Sequence, residues 1–132
     1  MATFKGLFKG KQVLVPMVLV KTLKDDSEKL TLMMYLIRKC HERNYYDTMN
    51  DDKTFDISLY DIQLRLYSGN KTFREIVKLA KSLEDYNFIK IDALYDDFSM
   101  RILINFDYIN ALNKIKEEIK EEDIDDDFNV FN

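Results

Sequence analysis

The sequence predicts an α+β fold with a three-helix core, a two-stranded β-hairpin and a C-terminal helix. Two segments, residues 25–43 and 70–86, carry apolar side chains at helical spacing and charged side chains on the opposite face, a pattern typical of amphipathic helices. Two later runs, residues 88–94 and 99–106, alternate apolar and polar residues around Tyr95-Asp96-Asp97-Phe98, which predicts a hairpin. With 3 Gly and 1 Pro, the chain has too few turn residues for a β-sandwich or barrel.

The length and composition are those of one globular domain. The 132 residues are 46% hydrophobic and 33% charged, which is enough apolar material to bury a core. The single cysteine, Cys40, excludes an intramolecular disulfide and fits a reducing compartment. The longest apolar run, residues 13–20, is interrupted by Pro16, so neither a signal peptide nor a membrane span is predicted. We therefore expect a cytoplasmic protein without membrane contact.

Charge is distributed unevenly along the chain. The net charge is −4, yet residues 117–132 contain eight acidic residues and one basic residue, Lys120. Residues 1–116 hold 16 acidic and 19 basic residues, a net charge of +3. We divide the chain into a basic N-terminal arm (1–11), a folded domain (12–122) and an acidic tail (123–132). An acidic total therefore does not exclude a nucleic-acid-binding face on the domain.

The N-terminal part of the domain is predicted to hold a short strand and two helices. Residues 12–15 form an apolar run, and Pro16 suits the first turn of a short helix, where the missing amide hydrogen costs nothing. Asp25 and Glu28 form a capping pair that opens a longer helix, which extends to about Arg43. The predicted inner face of that helix consists of Leu30, Met33, Met34, Ile37, Cys40 and His41.

The central part is predicted to contain a second strand and a brief helix. Residues 55–57 form the strand, and Ser58 with Asp61 looks like another N-cap pair. The brief helix then runs to about Tyr67 and buries an apolar face.

The longest amphipathic segment after this point follows the turn Ser68-Gly69-Asn70. Asn70 is predicted to cap the helix, which ends near Tyr86, and Asn87 is predicted to adopt the left-handed conformation common at helix ends. Its apolar face consists of Phe73, Ile76, Val77, Ala80 and Leu83. Its polar face consists of Lys71, Arg74, Glu75, Lys78 and Ser82.

A final helix is predicted from Asp107, as N-cap, to about Glu122. Its apolar stripe consists of Ile109, Leu112, Ile115 and Ile119. We predict that this stripe forms a homodimer interface, because one small domain rarely supplies enough DNA specificity alone. The alternative is that the stripe packs on its own domain.

The predicted order is helix, short strand, helix, turn, helix, hairpin and helix, which is a helix-turn-helix followed by a wing. Residues 68–74 and 83–90 resemble the corresponding parts of winged helix-turn-helix proteins, and this resemblance covers residues 27–106. It implies that the long helix is a DNA recognition helix. Residues 15–16 and 30–37 are similar to the opening of replication-initiator and related proteins of Gram-positive plasmids and phages. One departure from the winged pattern is the acidic wing tip at Asp96 and Asp97.

The predicted DNA contacts lie on the long helix, on the wing strands and in the arm. Arg74 is the best candidate for a bidentate contact with guanine, whereas Lys71 and Lys78 could equally bind phosphate. Glu75 could accept a hydrogen bond from cytosine, but pairing with Lys71 at i,i+4 is the preferred interpretation. The full predicted set is Asn70, Lys71, Thr72, Arg74, Lys78 and Ser82 on the helix, Lys90 and Arg101 on the wing strands, and Lys9 and Lys11 in the arm.

No motif in the sequence predicts catalysis or a bound cofactor. Cys40 and His41 are adjacent on a helix, so their side chains point about 100° apart and cannot act as a nucleophile and its base. One His and one Cys are too few for a zinc site. No phosphate-binding glycine loop or hydrolase motif is present in the sequence. We therefore predict a protein that is not an enzyme and holds neither metal nor cofactor.

Two functions from different classes remain. The first is a non-enzymatic, homodimeric, double-stranded DNA-binding protein of a plasmid or phage, acting in transcription control, replication initiation or conjugative transfer. The alternative is a protein–protein interaction module of a replication or transfer complex that uses its C-terminal helix and acidic tail. That tail places Phe128, Val130 and Phe131 after its acidic run and resembles the tail tips of bacterial single-stranded-DNA-binding proteins. It could dock into a partner protein, or fold back on the basic helix and compete with DNA.

Overall fold

The computed structural model describes residues 2–5 and 12–115, with side chains from residue 15 onward. Its strands are β1 (Ala2–Lys5), β2 (Gln12–Val15), β3 (Phe55–Ser58), β4 (Ile89–Leu94) and β5 (Ser99–Ile104). Its helices are α1 (Met17–Leu23), α2 (Ser27–Tyr45), α3 (Leu59–Tyr67), α4 (Phe73–Asp85) and α5, which begins at residue 106 and is described to residue 115. The fold class is α+β, as predicted, and Lys9, Lys11, Ile119 and the tail (123–132) lie outside the described residues.

Three helix starts follow from side-chain caps, and the caps predicted for two of these three helices are wrong. Ser58 caps α3 as predicted, since its hydroxyl accepts from the Asp61 amide at 3.3 Å. The cap of α2 is Asp26 rather than Asp25, because the Asp26 carboxylate accepts from the Lys29 amide at 3.1 Å. The sequence does not distinguish the two aspartates, because either carboxylate could cap a helix. In the fold, the turn before α2 places Asp26 at the start of the helix.

The cap of α4 is Thr72, not Asn70. The Thr72 hydroxyl accepts from the Glu75 amide at 3.1 Å, and the Glu75 carboxylate accepts from the Thr72 amide at 3.0 Å. This reciprocal capping box satisfies two amides that the first helical turn leaves without partners. Asn70 instead belongs to the turn, where its amide donates to the Tyr67 carbonyl at 2.8 Å.

The inner face of α2 is rotated slightly from the predicted one. Met33, Ile37 and Cys40 are buried as predicted, and His41 is exposed at the surface. The side chains of α2 that are buried consist of Leu32, Met33, Tyr35, Leu36, Ile37 and Cys40. Leu30 and Met34 are half-buried at the margin of this face. The predicted face is shifted to one side of the buried face, because it includes the apolar residues Leu30 and Met34 at the margin.

The predicted hairpin is present and belongs to a larger sheet. Strands β4 and β5 pair antiparallel, and β3 pairs with the other edge of β5, giving the order β3-β5-β4. The two-stranded wing of the prediction is therefore part of a three-stranded antiparallel sheet. The register shifts between Ile91 and Ala93, so that Ala93 lies opposite Arg101. A bulge of this kind bends an edge strand away from further pairing.

The pairing of β1 with β2 was not predicted. Ala2 lies opposite Val15 and Lys5 opposite Gln12 in an antiparallel register. Residues 2–5 are thus part of a two-stranded sheet. The sequence around Lys5 contains too little alternation to predict a strand.

Helix α5 packs on its own domain. Its first helical residue follows Asn105, whose carbonyl accepts from the Ile109 amide at 3.0 Å, so Asp107 lies within the first turn and is not the cap. Ile109 is fully buried in the core. The buried Asn113 accepts from the Val18 amide at 2.9 Å, which is one of the α1 amides that have no partner within α1. Ile109 therefore has no surface to offer a second copy.

Candidate nucleic-acid interface

Helix α4 is amphipathic, and its geometry decides which side chains reach the surface. Ile76, Ala80 and Leu83 are fully buried against the core. On the opposite side, Arg74, Lys78 and Lys81 are exposed and follow one another at i, i+4 and i+7. This spacing keeps three cationic side chains on one face of the helix. We call these three residues the α4 cationic face.

The residues of α4 and its preceding turn that are predicted to contact DNA are of two kinds. Some are exposed cations, and others have polar groups that form hydrogen bonds within the helix. Arg74 and Lys78 belong to the α4 cationic face, whereas the Thr72 hydroxyl is used in the capping box. The Ser82 hydroxyl donates back to the Lys78 carbonyl at 3.1 Å, a local bond that occupies its proton. Asn70 is exposed in the turn. Two of the six predicted helix residues thus have a charge that faces solvent.

Lys71 has a structural role in the turn before α4. Its ammonium is ion-paired with Glu28 at the start of α2 and lies 5.5 Å from the centre of the Tyr67 ring. Its carbonyl accepts from the Gln63 side chain at 2.8 Å. The hydrogen bond to Glu28 raises the pKa of Lys71. To contact a phosphate, Lys71 would have to leave this pair.

Glu75 does not follow the preferred interpretation of a pair with Lys71. Its carboxylate accepts from the Thr72 amide in the capping box, and that bond, from the backbone of Thr72, lowers the pKa of Glu75. Lys71 adds only a weaker coulombic effect on the same carboxylate. Glu75 therefore stabilises the start of α4.

The two predicted contacts of the hairpin strands differ in their surroundings. Lys90 is exposed on the edge strand β4. Arg101 donates to Asp56 across β3 and β5, at 2.9 Å from Nε and 3.4 Å from an amino nitrogen. It also lies 5.6 Å from the Tyr95 ring centre, and the hydrogen bond to Asp56 raises the pKa of Arg101. Lys90 is the freer of the two to meet a phosphate.

A groove separates the α4 cationic face from the turn of the hairpin. Its volume is 520 Å³, and the three residues of the α4 cationic face line it. Its apolar lining consists of Leu59, Phe73, Val77, Leu94 and Phe98, with Tyr95 and Ser99 beside them. We call this cavity the α4–hairpin groove. It joins cationic and apolar side chains on one open surface.

An aromatic cluster forms one end of the α4–hairpin groove. The Phe73 ring lies 4.8 Å from the Tyr60 ring and 4.9 Å from the Phe98 ring, measured between centroids. Tyr60 and Phe98 are 5.6 Å apart in an edge-on arrangement. These distances are typical of favourable aromatic pairs. The cluster holds the hairpin turn against the starts of α3 and α4.

The hairpin turn is short and acidic. The Phe98 amide donates to the Tyr95 carbonyl at 3.1 Å, and Phe98 has a φ of 61°. The Asp97 carboxylate accepts from the Ser99 hydroxyl at 2.6 Å, so it is used within the turn. Asp96 is exposed beside it. A tight turn with carboxylates at its tip has little reach toward a phosphate backbone.

Lys81 was missed by the sequence analysis. It lies three residues after Lys78 and seven after Arg74, so helical spacing alone could have placed it on the same face. The predicted polar face instead ends with Ser82. Leu94 and Phe98 were missed for a different reason, because only the folded hairpin brings them beside α4.

The predicted dimer stripe is divided by the fold. Ile109 is buried in the domain, Leu112 packs partly against the core, and Ile115 is 50% exposed. Of these described residues, only Ile115 offers substantial apolar surface to another molecule.

The neighbouring Cys40 and His41 border a separate cavity of 450 Å³. Burial raises the pKa of the Cys40 thiol to about 11, so the thiol is protonated at neutral pH. Partial desolvation lowers the pKa of His41, whose ring packs 5.9 Å from that of Phe106. Within the described ranges, no group of three or more His, Cys, Asp and Glu side chains is arranged to hold a metal ion.

None of the helices in the described segments combines the length and apolar character needed to cross a membrane. Comparison of the chain with protein-family models, with curated proteins and with solved structures finds no match.

Proposed function

We propose that the protein binds double-stranded DNA through the α4 cationic face. The observation that carries this proposal is that Arg74, Lys78 and Lys81 are exposed together, with no carboxylate of the described residues within ion-pair distance. By contrast, Lys71 and Arg101 are each paired with an acid. Unpaired cations on one helix face gain the most from replacing counterions around a phosphate backbone.

The position of Arg74 adds support. Arg74 is the second residue of α4, where the positive end of the helix dipole disfavours a cation. A cation in that position therefore contributes little to the stability of α4. Arg74 does strengthen the positive potential at the start of α4, and helix starts are common phosphate-binding sites because their free backbone amides point at the anion.

The arrangement of elements supports α4 as a recognition helix. Helices α3 and α4 are joined by a short turn and followed by a hairpin in a sheet of order β3-β5-β4. This arrangement is compatible with a winged helix-turn-helix, in which the second helix of the pair enters the major groove. Arg74 would then contact a base edge, and Lys78 and Lys81 would contact phosphates. Lys90 would add a phosphate contact from β4.

The hairpin would support this contact without entering a groove. Asp96 and Asp97 occupy its tip, and Phe98 is held in the aromatic cluster with Phe73. Carboxylates at the tip would be repelled by phosphates. The proposed DNA-binding surface is therefore α4 with the outer side of β4.

The biological setting proposed from the sequence resemblance is a plasmid or phage, with a role in transcription control, replication initiation or conjugative transfer. A homodimer bound to two half-sites would raise specificity beyond that of one helix. Ile115 is the described residue of the predicted stripe that is free to contribute to such a dimer.

A DNA titration followed by NMR tests the proposal. A duplex of 20–30 base pairs is added at low salt, and amide shifts are recorded along the chain. We expect the largest shifts in residues 73–82, on the exposed side of α4, and smaller shifts at Lys90. Largest shifts on α2 or α5, or no shifts at low salt, would contradict the proposal.

One observation favours the alternative of a protein-interaction module. The exposed apolar side chains beside the acidic turn are Leu94, Tyr95 and Phe98. DNA phosphates make no favourable contact with such a surface, whereas another protein could cover it. In that case the titration with DNA would leave the spectrum unchanged.

A further inference from the structure

The α4–hairpin groove has two kinds of lining that DNA alone does not explain. Arg74, Lys78 and Lys81 line one side. On the opposite side, Leu94 is 48% exposed and Phe98 is 46% exposed. A cationic face suffices for phosphates, whereas open aliphatic and aromatic surface next to it matches a ligand that is both acidic and apolar.

We propose that the α4–hairpin groove binds residues 121–132 of the same chain. That segment contains six acidic residues between 121 and 127, followed by Phe128, Val130 and Phe131. The acidic run complements the α4 cationic face. The apolar side chains after it complement Leu94, Phe98 and the other apolar side chains of the groove.

Charge and order both favour this occupant. The three cations of the α4 cationic face lie along one line of the helix, so an extended acidic run can meet them in succession. Opposite charges across a partly apolar surface attract more strongly than in bulk water. A segment of acids followed by aromatic residues can therefore fill the cationic side and the apolar side of one groove.

The length of chain after residue 115 is compatible with the contact. Residue 128 lies 13 positions after residue 115, the last described residue, and such a stretch spans at most about 43–47 Å. A domain of about 100 residues has a radius of gyration of about 13 Å. A fully extended stretch of this length is longer than twice that radius, so residue 128 can reach faces of its own domain away from residue 115.

Two other cavities that are lined by described residues fit this segment less well. An adjoining cavity along α4 has a volume of 300 Å³ and shares Lys78 with the groove. Its other lining residues are Lys71, Glu75, Leu79 and Ser82, so it offers a carboxylate that would repel an acidic run and a single aliphatic side chain. The cavity beside His41 has a single cationic residue in its lining, Lys53. The α4–hairpin groove has three cationic lining residues together with its apolar side.

Docking of the segment would compete with DNA, because the α4 cationic face belongs to both surfaces. This consequence rests on the proposed function, whereas the docking itself does not. A test that contains no DNA therefore separates failure of docking from failure of DNA binding.

Paramagnetic relaxation in the full-length chain tests the docking. Asn129→Cys is labelled with a nitroxide at pH 7, where the buried Cys40 thiol, with its pKa of about 11, stays protonated and unreactive. At low salt we expect strong broadening of amides in residues 73–81 and 94–99, relative to the reduced label. Broadening centred on another face, or none above that of the reduced label, would overturn the proposal.

Three double variants control the experiment. Lys78→Glu with Lys81→Glu, and separately Phe128→Ala with Phe131→Ala, should each remove most of the broadening. The matched double variant Lys21→Glu with Lys24→Glu, which changes two exposed lysines outside the groove, should leave it unchanged. The substituted lysines are exposed, so their variants should fold, and the dispersion of the amide signals in the same spectra checks the folding of every variant.

A mixed sample tests whether the contact is within one chain. Protein that carries the spin label but no ¹⁵N is mixed with ¹⁵N-labelled protein that carries no spin label. The proposal predicts no groove broadening in this mixture. Groove broadening as strong as in the single-chain sample would assign the contact to a second copy and contradict the proposal.

Discussion

The ammonium of Lys71 is ion-paired with the carboxylate of Glu28, which joins the turn before α4 to the start of α2. The Tyr67 hydroxyl donates to the Glu28 carbonyl at 3.2 Å in the same cluster, and burial raises the pKa of Tyr67 to about 12. A lysine that is predicted from the sequence to contact DNA therefore has a structural partner. This separates Lys71 from the exposed Lys78.

The first prediction compares these two lysines. Lys78→Ala should weaken DNA binding at low salt and reduce the salt-dependence slope by about one. Lys71→Ala should have a smaller effect, because its charge is already partly neutralised by Glu28. Glu28→Gln should strengthen binding by releasing Lys71. Fluorescence anisotropy with a labelled duplex measures all three. Equal losses for the two lysine variants would show that the Glu28 pair does not restrain Lys71.

The second prediction concerns the cap of α4. Thr72→Ala removes the acceptor for the Glu75 amide and should lower the free energy of unfolding by about 1 kcal/mol. Asn70→Ala should change it by less than about 0.5 kcal/mol, since Asn70 does not cap the helix. Urea denaturation measures both. Thr72→Ser is the matched control and should retain most of the stability. A larger loss for Asn70→Ala than for Thr72→Ala would assign the cap of α4 to Asn70 and contradict this account.

The third prediction concerns the contact between α5 and α1. The buried Asn113 side chain accepts from the Val18 amide, and α1 has no side-chain cap of its own. Asn113→Ala leaves that amide without this acceptor and should cost about 1–3 kcal/mol. Asn110→Ala, an exposed position on the same helix, serves as the control and should be nearly neutral. If both variants unfold at the same urea concentration as the wild type, α5 does not stabilise the domain through this bond.

The fourth prediction concerns acid stability. The hydrogen bond from the Thr72 backbone lowers the pKa of Glu75 below its ordinary value of 4.5. The folded state therefore binds the proton less readily than the unfolded state. The contribution is complete above about pH 4.5 and is lost as the pH falls through the lower pKa of the folded state. Glu75→Gln should make the free energy of unfolding less steeply pH-dependent below that value, as urea titrations from pH 7 to pH 3 would show. An unchanged acid profile would contradict the capping role of the carboxylate.

Local patterns in the sequence predicted most of the element order. The α3 cap at Ser58, the hairpin around residues 95–98 and the left-handed Asn87, with a φ of 63°, are all present in the fold. Each depends on residues close together in the chain. The pattern of a threonine followed three residues later by a glutamate was also visible at Thr72 and Glu75, and it could have located the α4 cap.

Features that depend on distant residues were not predictable. Strand β3 joins β5, so that Asp56 meets Arg101 from 45 positions away. Nothing in the local pattern of either strand specifies that register. Phe98 adopts a φ of 61°, which a bulky residue rarely does, and its packing with Phe73 and Tyr60 provides the compensating contact.

The candidate site was predictable only in part. The exposed positions of Arg74 and Lys78 follow from helical spacing. The partners of Lys71 and Arg101, which remove them from the set of unpaired cations, come from α2 and β3 and required the fold.

The salt dependence of DNA affinity tests the central claim most directly. The dissociation constant for a labelled duplex is measured from low to physiological salt for the wild type, for Arg74→Ala with Lys78→Ala, and for the matched double variant Lys21→Ala with Lys24→Ala. The account predicts that the wild type binds with a clear negative slope, that the α4 double variant loses about two units of that slope, and that the matched variant stays close to the wild type. No binding by the wild type at low salt, or equal slopes for all three proteins, would contradict the claim that α4 is the DNA-binding surface.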